Sequence, residues 1–521
     1  MVIGMRDLQL KNKKIIYGII LGCLPILSCL INLIINKKTF SDVWLGQSQW
    51  NDELFYFKQI ECMVKDMIPQ GYFGYNESSA QFLSFGAWSP VILMPWALWG
   101  KIFGWTYASP FVANIVFLTI AMLLFGVLAD PSWPQTIASG LFFMLVTPLS
   151  RYMFSSMPEI VCLVPLIIVM GLIIGFRGSK RQSLRMVFIL LLLAFLTLMR
   201  PYFFVFFLFP FFITRQKKES DRIATLLVLL ASLGLYFFMS SKMNAQYFTD
   251  VYRTDWVDAF KNDGLGAGFV YLIKELLHYM YEIIRASVGG VRGGYPIGIY
   301  FAAFLIVIGE YLLLSIYLLV KKERKAVLAV CMFFCQFAML GAICLMYSLQ
   351  DGFRHLLVFI VVGFLLSAFL INKKYLRRIL LAINGLALAW IFVVKAQDPL
   401  YFGTVFNNAN EVANKASVED FKEELTDRME LSQGLCWDND VALVFMDGKE
   451  GEEEHLIQWQ YAYSLPQGFA ISLCESTYVS ENISNIKSKY IMTMTGGEVE
   501  KLLNSAEPVA KNSSVAVYKM R

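Results

Sequence analysis

Residues 186–214 read MVFILLLLAFLTLMRPYFFVFFLFPFFIT, an apolar stretch in which the only charged residue is Arg200. Basic segments flank it on both sides, at 177–185 and 215–222. Loops rich in lysine and arginine stay on the cytoplasmic side of a membrane, so both flanks are expected inside. The stretch therefore has to cross the membrane twice, as two short helices that turn at Arg200-Pro201.

The whole chain has the same apolar character. Of its 521 residues, 57% are hydrophobic, 15% are aromatic and only 16% are charged, and the formal net charge is +5. Soluble domains carry about a quarter charged residues, so this composition excludes an ordinary cytosolic enzyme, a disordered chain and a nucleic-acid-binding protein. A membrane-spanning helix needs roughly 20 apolar residues. Ten or more such runs are present, and they predict an all-α polytopic membrane bundle.

The placement of charge predicts the topology of this bundle. The segments with a clear excess of lysine and arginine are expected in the cytoplasm; they are 6–14, 177–185, 215–222, 321–325 and 373–378. The acidic or aromatic segments between them are expected outside. The N-terminus is then inside, the C-terminus is outside, and the first span is too long for a cleaved signal peptide. The resulting eleven crossings lie near 15–35, 109–129, 135–150, 160–176, 186–199, 201–214, 223–240, 296–320, 326–348, 355–371 and 377–394.

Two external loops belong to this membrane domain, which is predicted over residues 1–394. The first loop, 36–108, contains an apolar piece at 88–105 that is broken by prolines. A full crossing here would put the later basic segments outside the cell, so we expect a re-entrant or juxtamembrane hairpin there. The second loop, 241–295, is long and ends in a glycine-rich segment.

After Val394 the composition becomes polar, and residues 395–521 are predicted to form a small extracytoplasmic α/β domain. The piece at 497–506 has helical spacing. Cys436 and Cys474 both fall in this domain, and the sequence leaves open whether they are bonded. The expected strands are the alternating apolar segments 441–446, 469–474, 490–494 and 515–518.

Charged residues at the outer membrane boundary are few, and every cluster of them lies on the same predicted face. Charge at membrane depth is expensive and is seldom kept without a use. The clusters are Asp52-Glu53 with Tyr56, Arg151 with Glu159, Arg200, Arg285 with Arg292, and Asp351 with Arg354-His355.

This combination of carboxylates and arginines indicates a particular chemistry. One carboxylate can serve as a general base toward an acceptor hydroxyl, and two or three can hold a divalent cation. Guanidinium groups bind phosphate oxygens bidentately. Together these groups suit glycosyl transfer from a sugar carried on a lipid phosphate. Because no nucleotide pool exists outside the cell, a lipid-carried donor fits an external site.

Five motifs occur in one order along the chain, namely Asn51-Asp52-Glu53-x-x-Tyr56, Ile102-Phe103-Gly104, the turn at 155–159, the segment at 196–201 and Phe353-Arg354-His355. With these motifs, residues 1–394 resemble the GT-C superfamily of membrane glycosyltransferases. These are the bacterial relatives of protein O-mannosyltransferases and aminoarabinose transferases, many of which carry a small external domain like the tail of this chain. The hairpin departs from many relatives, because Trp88-Ser89-Pro90 stands where they have His-Pro-Pro.

The resemblance implies roles for the matching residues. Asp52 is expected to be the catalytic base, Glu53 to bind a metal or orient the acceptor, and Glu159 to contact a metal or the donor. Some relatives require a metal and others do not. The resemblance therefore does not decide whether this protein needs a divalent cation, Mg²⁺ or Mn²⁺. Arg200 and Arg354 are expected to hold the donor phosphate, with His355 as a second contact. The proposed substrate contacts also include Tyr56 in the first motif and, apart from the resemblance, Arg292 in the glycine-rich segment.

Structural interpretations of the same residues stay open. Acidic residues favour the first turn of a helix, which alone could account for Asp52-Glu53 and for Glu159. Arg354-His355 could anchor a span at the membrane interface. The segment 289–294 is either a flexible linker or a substrate-gating loop that contains Arg292. Lys58 and Glu61 have the spacing of an exposed juxtamembrane helix.

The sequence therefore predicts an integral-membrane glycosyltransferase of the bacterial plasma membrane, acting on its outer face. It is expected to move a sugar from a polyprenyl-phosphate-linked donor to a lipid, glycan or protein acceptor, with membrane lipids and the donor as partners. The alternative is a transporter or flippase of a lipid-linked saccharide. A transporter should place polar groups near the membrane midplane and contain repeated halves, and no repeat is evident.

Overall fold

The structure is a computed structural model, and most of what it describes is helical. It describes residues 13–45, 51–66, 73–77, 89–213, 219–243, 253–292, 297–370, 414–431, 441–446, 460–503 and 506–520, with isolated positions at 378, 382, 384–386 and 389.

Within the described residues, the helices of the membrane domain differ widely in length, from 4 to 28 residues. Short 3₁₀ segments at Pro201–Phe207 and Phe353–His355 lead into the ninth and sixteenth of them. The helices are α1 Lys13–Ile35, α2 Asn51–Asp66, α3 Met94–Phe103, α4 Ser109–Ala129, α5 Trp133–Leu145, α6 Thr147–Met153, α7 Glu159–Ile174, α8 Gln182–Met199, α9 Leu208–Phe212, α10 Glu219–Met243, α11 Asp255–Asn262, α12 Gly264–Val291, α13 Gly298–Val320, α14 Ala326–Met346, α15 Leu349–Gly352 and α16 Leu356–Leu370.

Within the described residues, seven helices are long and apolar enough to cross a membrane, so the chain is a multi-pass membrane protein. Two shorter apolar helices, Glu159–Ile174 and Pro201–Phe212, coincide with further predicted crossings. The predicted count of eleven stays a prediction. The segment 135–150 is interrupted at Val146, and 377–394 lies largely outside the described residues. The seven long helices are α1, α4, α8, α10, α13, α14 and the continuous Phe353–Leu370.

The helix α16 lies at the centre of the bundle. It packs against α5, α7 and α13, and 94% of the span Phe353–Leu370 is buried inside the protein. A helix that is apolar all round is typical of such a central position. The start of this helix therefore brings Arg354 and His355 into the middle of one end of the bundle.

The turn predicted at Arg200-Pro201 has a direct backbone cause. A residue before proline is driven out of the helical region by the proline ring. Arg200 accordingly has an extended backbone, with φ −146° and ψ 122°, and α8 ends one residue earlier. The chain re-enters a helical conformation at Pro201, which is well suited to a first helical position.

The apolar piece at 88–105 forms a short helix rather than a crossing. A 3₁₀ turn at Pro90–Ile92 leads into α3, which ends at Gly104 with φ 85°. A positive φ of this kind costs glycine nothing and stops the helix. With ten residues, α3 is too short to span a bilayer.

The segment predicted as the long external loop is itself largely helical, which the sequence reading did not anticipate. The helix α12 has 28 residues and packs against α13 and α14. An exposed apolar stripe runs along it at four-residue intervals, the spacing of one helical face. Its members are Leu265, Phe269, Ile273, Leu277 and Tyr281.

Five strands of the C-terminal region and one strand of the first external loop form a six-stranded sheet with the order β1-β3-β2-β4-β6-β5. Strands β1 to β4 pair in parallel, and β6 and β5 add an antiparallel edge. All four predicted strands are present, and helices α17 Lys415–Arg428, α18 Ser476–Asn482 and α19 Glu498–Leu502 accompany them. The strands are β1 Phe73–Tyr75, β2 Val441–Met446, β3 Ala470–Glu475, β4 Tyr490–Met494, β5 Pro508–Lys511 and β6 Val515–Lys519.

Strand β1 was not predicted, and it comes from the first external loop rather than from the C-terminal region. It pairs with β3 in the register Phe73 to Ile471. Three residues are too few for a recognisable alternation, so the sequence offers little signal for it. The sheet thus incorporates the loop that follows α2.

Candidate functional site

An ion pair between Asp52 and Arg354 forms the accessible part of the candidate site. Asp52 lies in the first turn of α2, and Arg354 lies in the 3₁₀ segment before α16. Arg354 Nη1 donates to Asp52 Oδ2 at 2.5 Å. Their side chains are 38% and 20% exposed, respectively, so this pair is the part of the site that solvent can reach.

A second ion pair lies deeper and is completely buried. Arg200 Nη2 is 3.0 Å from Glu159 Oε1, and both side chains have no exposed surface. Glu159 occupies the first turn of α7, where a negative charge is favourable. Two charges removed from water are stable only when each compensates the other, so each of these residues requires its partner.

The same guanidinium continues into a short hydrogen-bonded network. Arg200 Nη1 lies 3.0 Å from both the Tyr202 hydroxyl and His355 Nδ1, and these two atoms are 3.3 Å apart. Arginine can only donate, so His355 Nδ1 accepts and the ring hydrogen resides on the other nitrogen. Residues separated by 155 positions are thereby joined at one end of the bundle.

Tyr56 lies between the two ion pairs. It is on the buried face of α2 and interacts electrostatically with Asp52, Arg354, Arg200 and Glu159. Burial raises the pKa of Tyr56 well above its ordinary value, so its hydroxyl stays protonated. The predicted residues on α2, on α7, at the end of α8 and in the 3₁₀ segment before α16 therefore converge. We call Asp52, Arg354, Tyr56, Glu159, Arg200, Tyr202 and His355 the polar cluster.

Glu53 is buried and holds α2 against the turn before α7. The Ser155 hydroxyl donates to its carboxylate, and the Ser156 hydroxyl donates to its backbone carbonyl at 2.7 Å. Ser155 also accepts from the Met157 amide at 3.0 Å. These bonds set the position of the helix that carries Asp52.

The expected metal contacts, Glu53 and Glu159, are both engaged by protein groups. Ser155 donates to the first and Arg200 to the second. Within the described residues, no group of three or more His, Cys, Asp or Glu side chains is placed to hold a metal ion. These residues do not by themselves form a metal site.

Asn114 is a structural part of the site that the sequence reading missed. It is fully buried in α4, where its side chain accepts from Trp96 Nε1 at 3.0 Å. Its amide nitrogen donates to the Ser155 carbonyl at 2.7 Å. An asparagine inside an apolar span is expensive and could have been recognised as significant from the sequence.

Lys58 and Glu61 are not exposed, and that interpretation of their spacing was wrong. Both side chains are fully buried and form an ion pair with each other. Lys58 also donates to the Leu465 carbonyl at 2.8 Å, and Lys422 lies 3.9 Å from Glu61. Helical spacing cannot show that the C-terminal domain covers this face of α2. The helix that carries Asp52 therefore packs between the bundle and that domain.

Arg292 lines a cavity to which no member of the polar cluster contributes. This cavity of about 670 Å³ lies beside the end of α12, and Tyr281, Glu282, Arg285 and Leu349 also line it. Its glycine neighbours at 293–294 are outside the described residues. A role for Arg292 in substrate binding stays a prediction.

No protein-family model matches the sequence, and no curated protein matches it either. Among solved structures, the chain is similar to ArnT from Cupriavidus metallidurans bound to undecaprenyl phosphate. That likeness has a TM-score of 0.49 and 10% identity, and covers 95% of this chain and 98% of that one. A second is the archaeal oligosaccharyltransferase AglB from Archaeoglobus fulgidus in complex with an inhibitory peptide and a dolichol-phosphate. There the TM-score is 0.48 with 12% identity, over 90% of this chain and 69% of that one.

A further structure of the Archaeoglobus fulgidus oligosaccharyltransferase, in complex with Zn and sulfate, has a TM-score of 0.49 and 12% identity over 90% of this chain and 68% of that one. In all three likenesses both the sequence identity and the TM-score are low. At this level of likeness they carry no conclusion about the substrate or the catalytic residues of this chain.

Proposed function

We propose that this protein is an integral-membrane glycosyltransferase of the GT-C type that uses a polyprenyl-phosphate-linked sugar as donor. The observation that supports this most directly is the convergence of the polar cluster. Four separate stretches of the chain contribute two carboxylate–guanidinium pairs to one end of the bundle. A phosphate-binding arginine beside an accessible carboxylate is what transfer from a lipid phosphate requires.

In the proposed reaction, the donor phosphate takes the place of Asp52 as the partner of Arg354. Arg354 is the arginine that we expect the phosphate to meet first, because it is partly exposed whereas Arg200 is fully buried. The exchange releases the Asp52 carboxylate next to the donor. Asp52 can then serve as the general base for a hydroxyl of the acceptor.

The bonds in this step balance without a further reactant. The acceptor oxygen forms a bond to the anomeric carbon of the sugar as its proton passes to Asp52. The bond from that carbon to the phosphate oxygen breaks, and the lipid phosphate leaves with the electron pair. Arg354 stabilises the additional negative charge on the departing phosphate.

The buried part of the polar cluster is proposed to position this pair. Arg200 is held by Glu159, Tyr202 and His355, and His355 directly follows Arg354 in the chain. A fixed His355 therefore limits the freedom of the backbone that carries Arg354. Such support of a reactive group by a buried network is a common requirement for catalysis.

One observation favours the alternative of a transporter. Glu310 lies near the middle of α13, is buried and has Ser367 and Asn384 as polar neighbours. An ionisable residue at membrane depth is a candidate functional site in its own right. If the protein transports a lipid-linked saccharide, Glu310→Gln should reduce transport in proteoliposomes, whereas the transferase proposal expects Glu310→Gln to retain transfer.

The decisive test is transfer from a defined lipid-linked donor by the purified full-length protein. Asp52→Asn should abolish transfer of a radiolabelled sugar, while expression and membrane insertion stay at the wild-type level. Asp258→Asn is the matched control, because Asp258 is an exposed acid on α11. Full activity of Asp52→Asn would overturn the assignment of the base.

A further inference from the structure

A cavity of about 510 Å³ lies at the end of the bundle opposite the polar cluster. The helices themselves establish this relationship. Helix α7 starts at Glu159 in the polar cluster and ends with Ile173 and Ile174 in the cavity wall. The span that starts beside Arg354 likewise ends with Phe369 in the wall. At 1.5 Å per residue, the two sites are about 20 Å apart.

Three cations line this cavity, namely Arg177, Arg324 and Lys325. Within the described residues, Arg177 and Arg324 have no carboxylate partner within the distance of an ion pair. Lys325 differs, because its ammonium donates to the Phe369 carbonyl at 2.6 Å. Two arginine side chains thus remain available to a ligand.

Two acids also border the cavity, Asp130 and Glu323. Lys14 neutralises Asp130 through an ion pair of 2.6 Å. The lining as a whole therefore keeps a positive excess, which is complementary to an anion.

The rest of the wall is mostly apolar, with Gln135 as its one uncharged polar member. It combines the ends of α7, α9 and α16 with the start of α14, and so the cavity lies where the helices of the bundle meet their connecting loops. A free phosphate ion has no apolar surface to bury against such a wall, whereas an amphiphile can bury its hydrocarbon part there and bind more tightly. The apolar lining residues are Ala129, Ile173, Ile174, Ile213, Val327, Leu328 and Phe369.

We propose that this cavity binds the headgroup of an anionic phospholipid, with its phosphate on Arg177 and Arg324 and its first acyl carbons along the apolar wall. Basic pockets between membrane helices are suited to lipid phosphates, and guanidinium groups match their oxygens. The site is distinct from the proposed donor site and does not depend on the transferase activity. It assigns a lipid ligand to the opposite leaflet.

Native mass spectrometry of the full-length protein with added phosphatidylglycerol or phosphatidylcholine tests this site. We expect retained phosphatidylglycerol adducts and few phosphatidylcholine adducts. Arg177→Ala and Arg324→Ala should each weaken phosphatidylglycerol binding about fivefold, the effect expected for one basic residue at a membrane surface. Arg324→Lys should retain most of the binding because it keeps the charge.

Arg181→Ala is the matched control, since Arg181 is exposed near Arg177 and does not line the cavity. The proposal is overturned if Arg181→Ala reduces binding as much as Arg324→Ala, or if the two lipids bind equally well. It is also overturned if inorganic phosphate competes as effectively as phosphatidylglycerol, because the apolar wall would then contribute nothing.

Discussion

Arg200 and Glu159 are 41 positions apart in the chain, and they form an ion pair of 3.0 Å without any exposed surface. The pair joins the start of α7 to the break between α8 and Pro201. Because water cannot solvate either charge, each residue depends on the other. The pair therefore links the stability of the bundle to the geometry of the polar cluster.

Removing one member of this pair should destabilise the protein strongly. We expect Glu159→Ala to lower the free energy of unfolding by about 3–5 kcal/mol, because it leaves the Arg200 charge buried without its partner. Thermal unfolding of the purified protein in detergent measures this. The double variant Glu159→Met with Arg200→Met should lose much less, since apolar residues can replace a buried pair. A Glu159→Ala variant as stable as the wild type would contradict the geometry.

Arg354 should matter mainly for binding of the donor phosphate. Arg354→Ala removes a charged hydrogen-bond donor worth about 1.5–3 kcal/mol, and the KM for the lipid-linked donor should rise roughly 10- to 100-fold. Steady-state kinetics with a defined donor measure this change. Arg354→Lys should recover only part of the loss, because an ammonium cannot bind phosphate bidentately. An unchanged KM in Arg354→Ala would show that the phosphate binds elsewhere.

Glu77 should anchor the first external loop in the C-terminal domain. Its carboxylate accepts from the Ser488 amide at 2.6 Å, from the Lys487 amide at 3.1 Å and from the Tyr478 hydroxyl at 3.1 Å. Glu77→Gln places an amide NH₂ toward these donors and should cost about 1–3 kcal/mol of local stability.

Hydrogen exchange of the full-length protein provides the measurement for Glu77. Protection of β3 and β4 should fall in Glu77→Gln, whereas protection of the membrane helices should not change. Equal protection of β3 and β4 in both proteins would mean that the loop is held by other contacts.

The C-terminal domain should lose stability in acid because of Glu500. Burial disfavours the ionised carboxylate, but hydrogen bonds outweigh it and keep the pKa of Glu500 below its ordinary value of 4.5. The donors are Lys511 Nζ at 2.8 Å, the Gly496 amide at 2.6 Å and the Tyr518 hydroxyl at 2.7 Å. A lowered pKa contributes stability above the unfolded-state value, and this contribution is lost as the pH falls through the folded-state pKa.

The measurement is the protection of β5 and β6 in the full-length protein as the pH is lowered from neutral to below 4.5. Glu500→Gln should make this protection less dependent on pH, with intrinsic exchange rates taken into account. Glu498→Gln is the control, because Glu498 is a neighbouring exposed acid on α19. If both variants follow the wild-type profile, Glu500 is not the group responsible.

Much of the membrane architecture could be predicted because it depends on local properties. The span at 109–129 coincides with α4, and the turn at Arg200-Pro201 is where α8 ends, since apolar length and proline sterics act over a few residues. The strand Tyr490–Met494 was likewise predicted from its alternation. The topology predicted from the charged loops also put Asp52 and Arg354 on the same side of the membrane.

The tertiary structure decided which of these groups meet and which are covered. No local pattern shows that Arg200 pairs with Glu159 rather than with a lipid headgroup, or that the C-terminal domain buries Lys58. Nor could spacing separate Arg292, which lines its own cavity, from the arginines of the polar cluster. The physical reason is that hydrophobicity and helix boundaries act between neighbours in the chain, whereas the partner of a charge depends on which distant helix ends come together when the bundle packs.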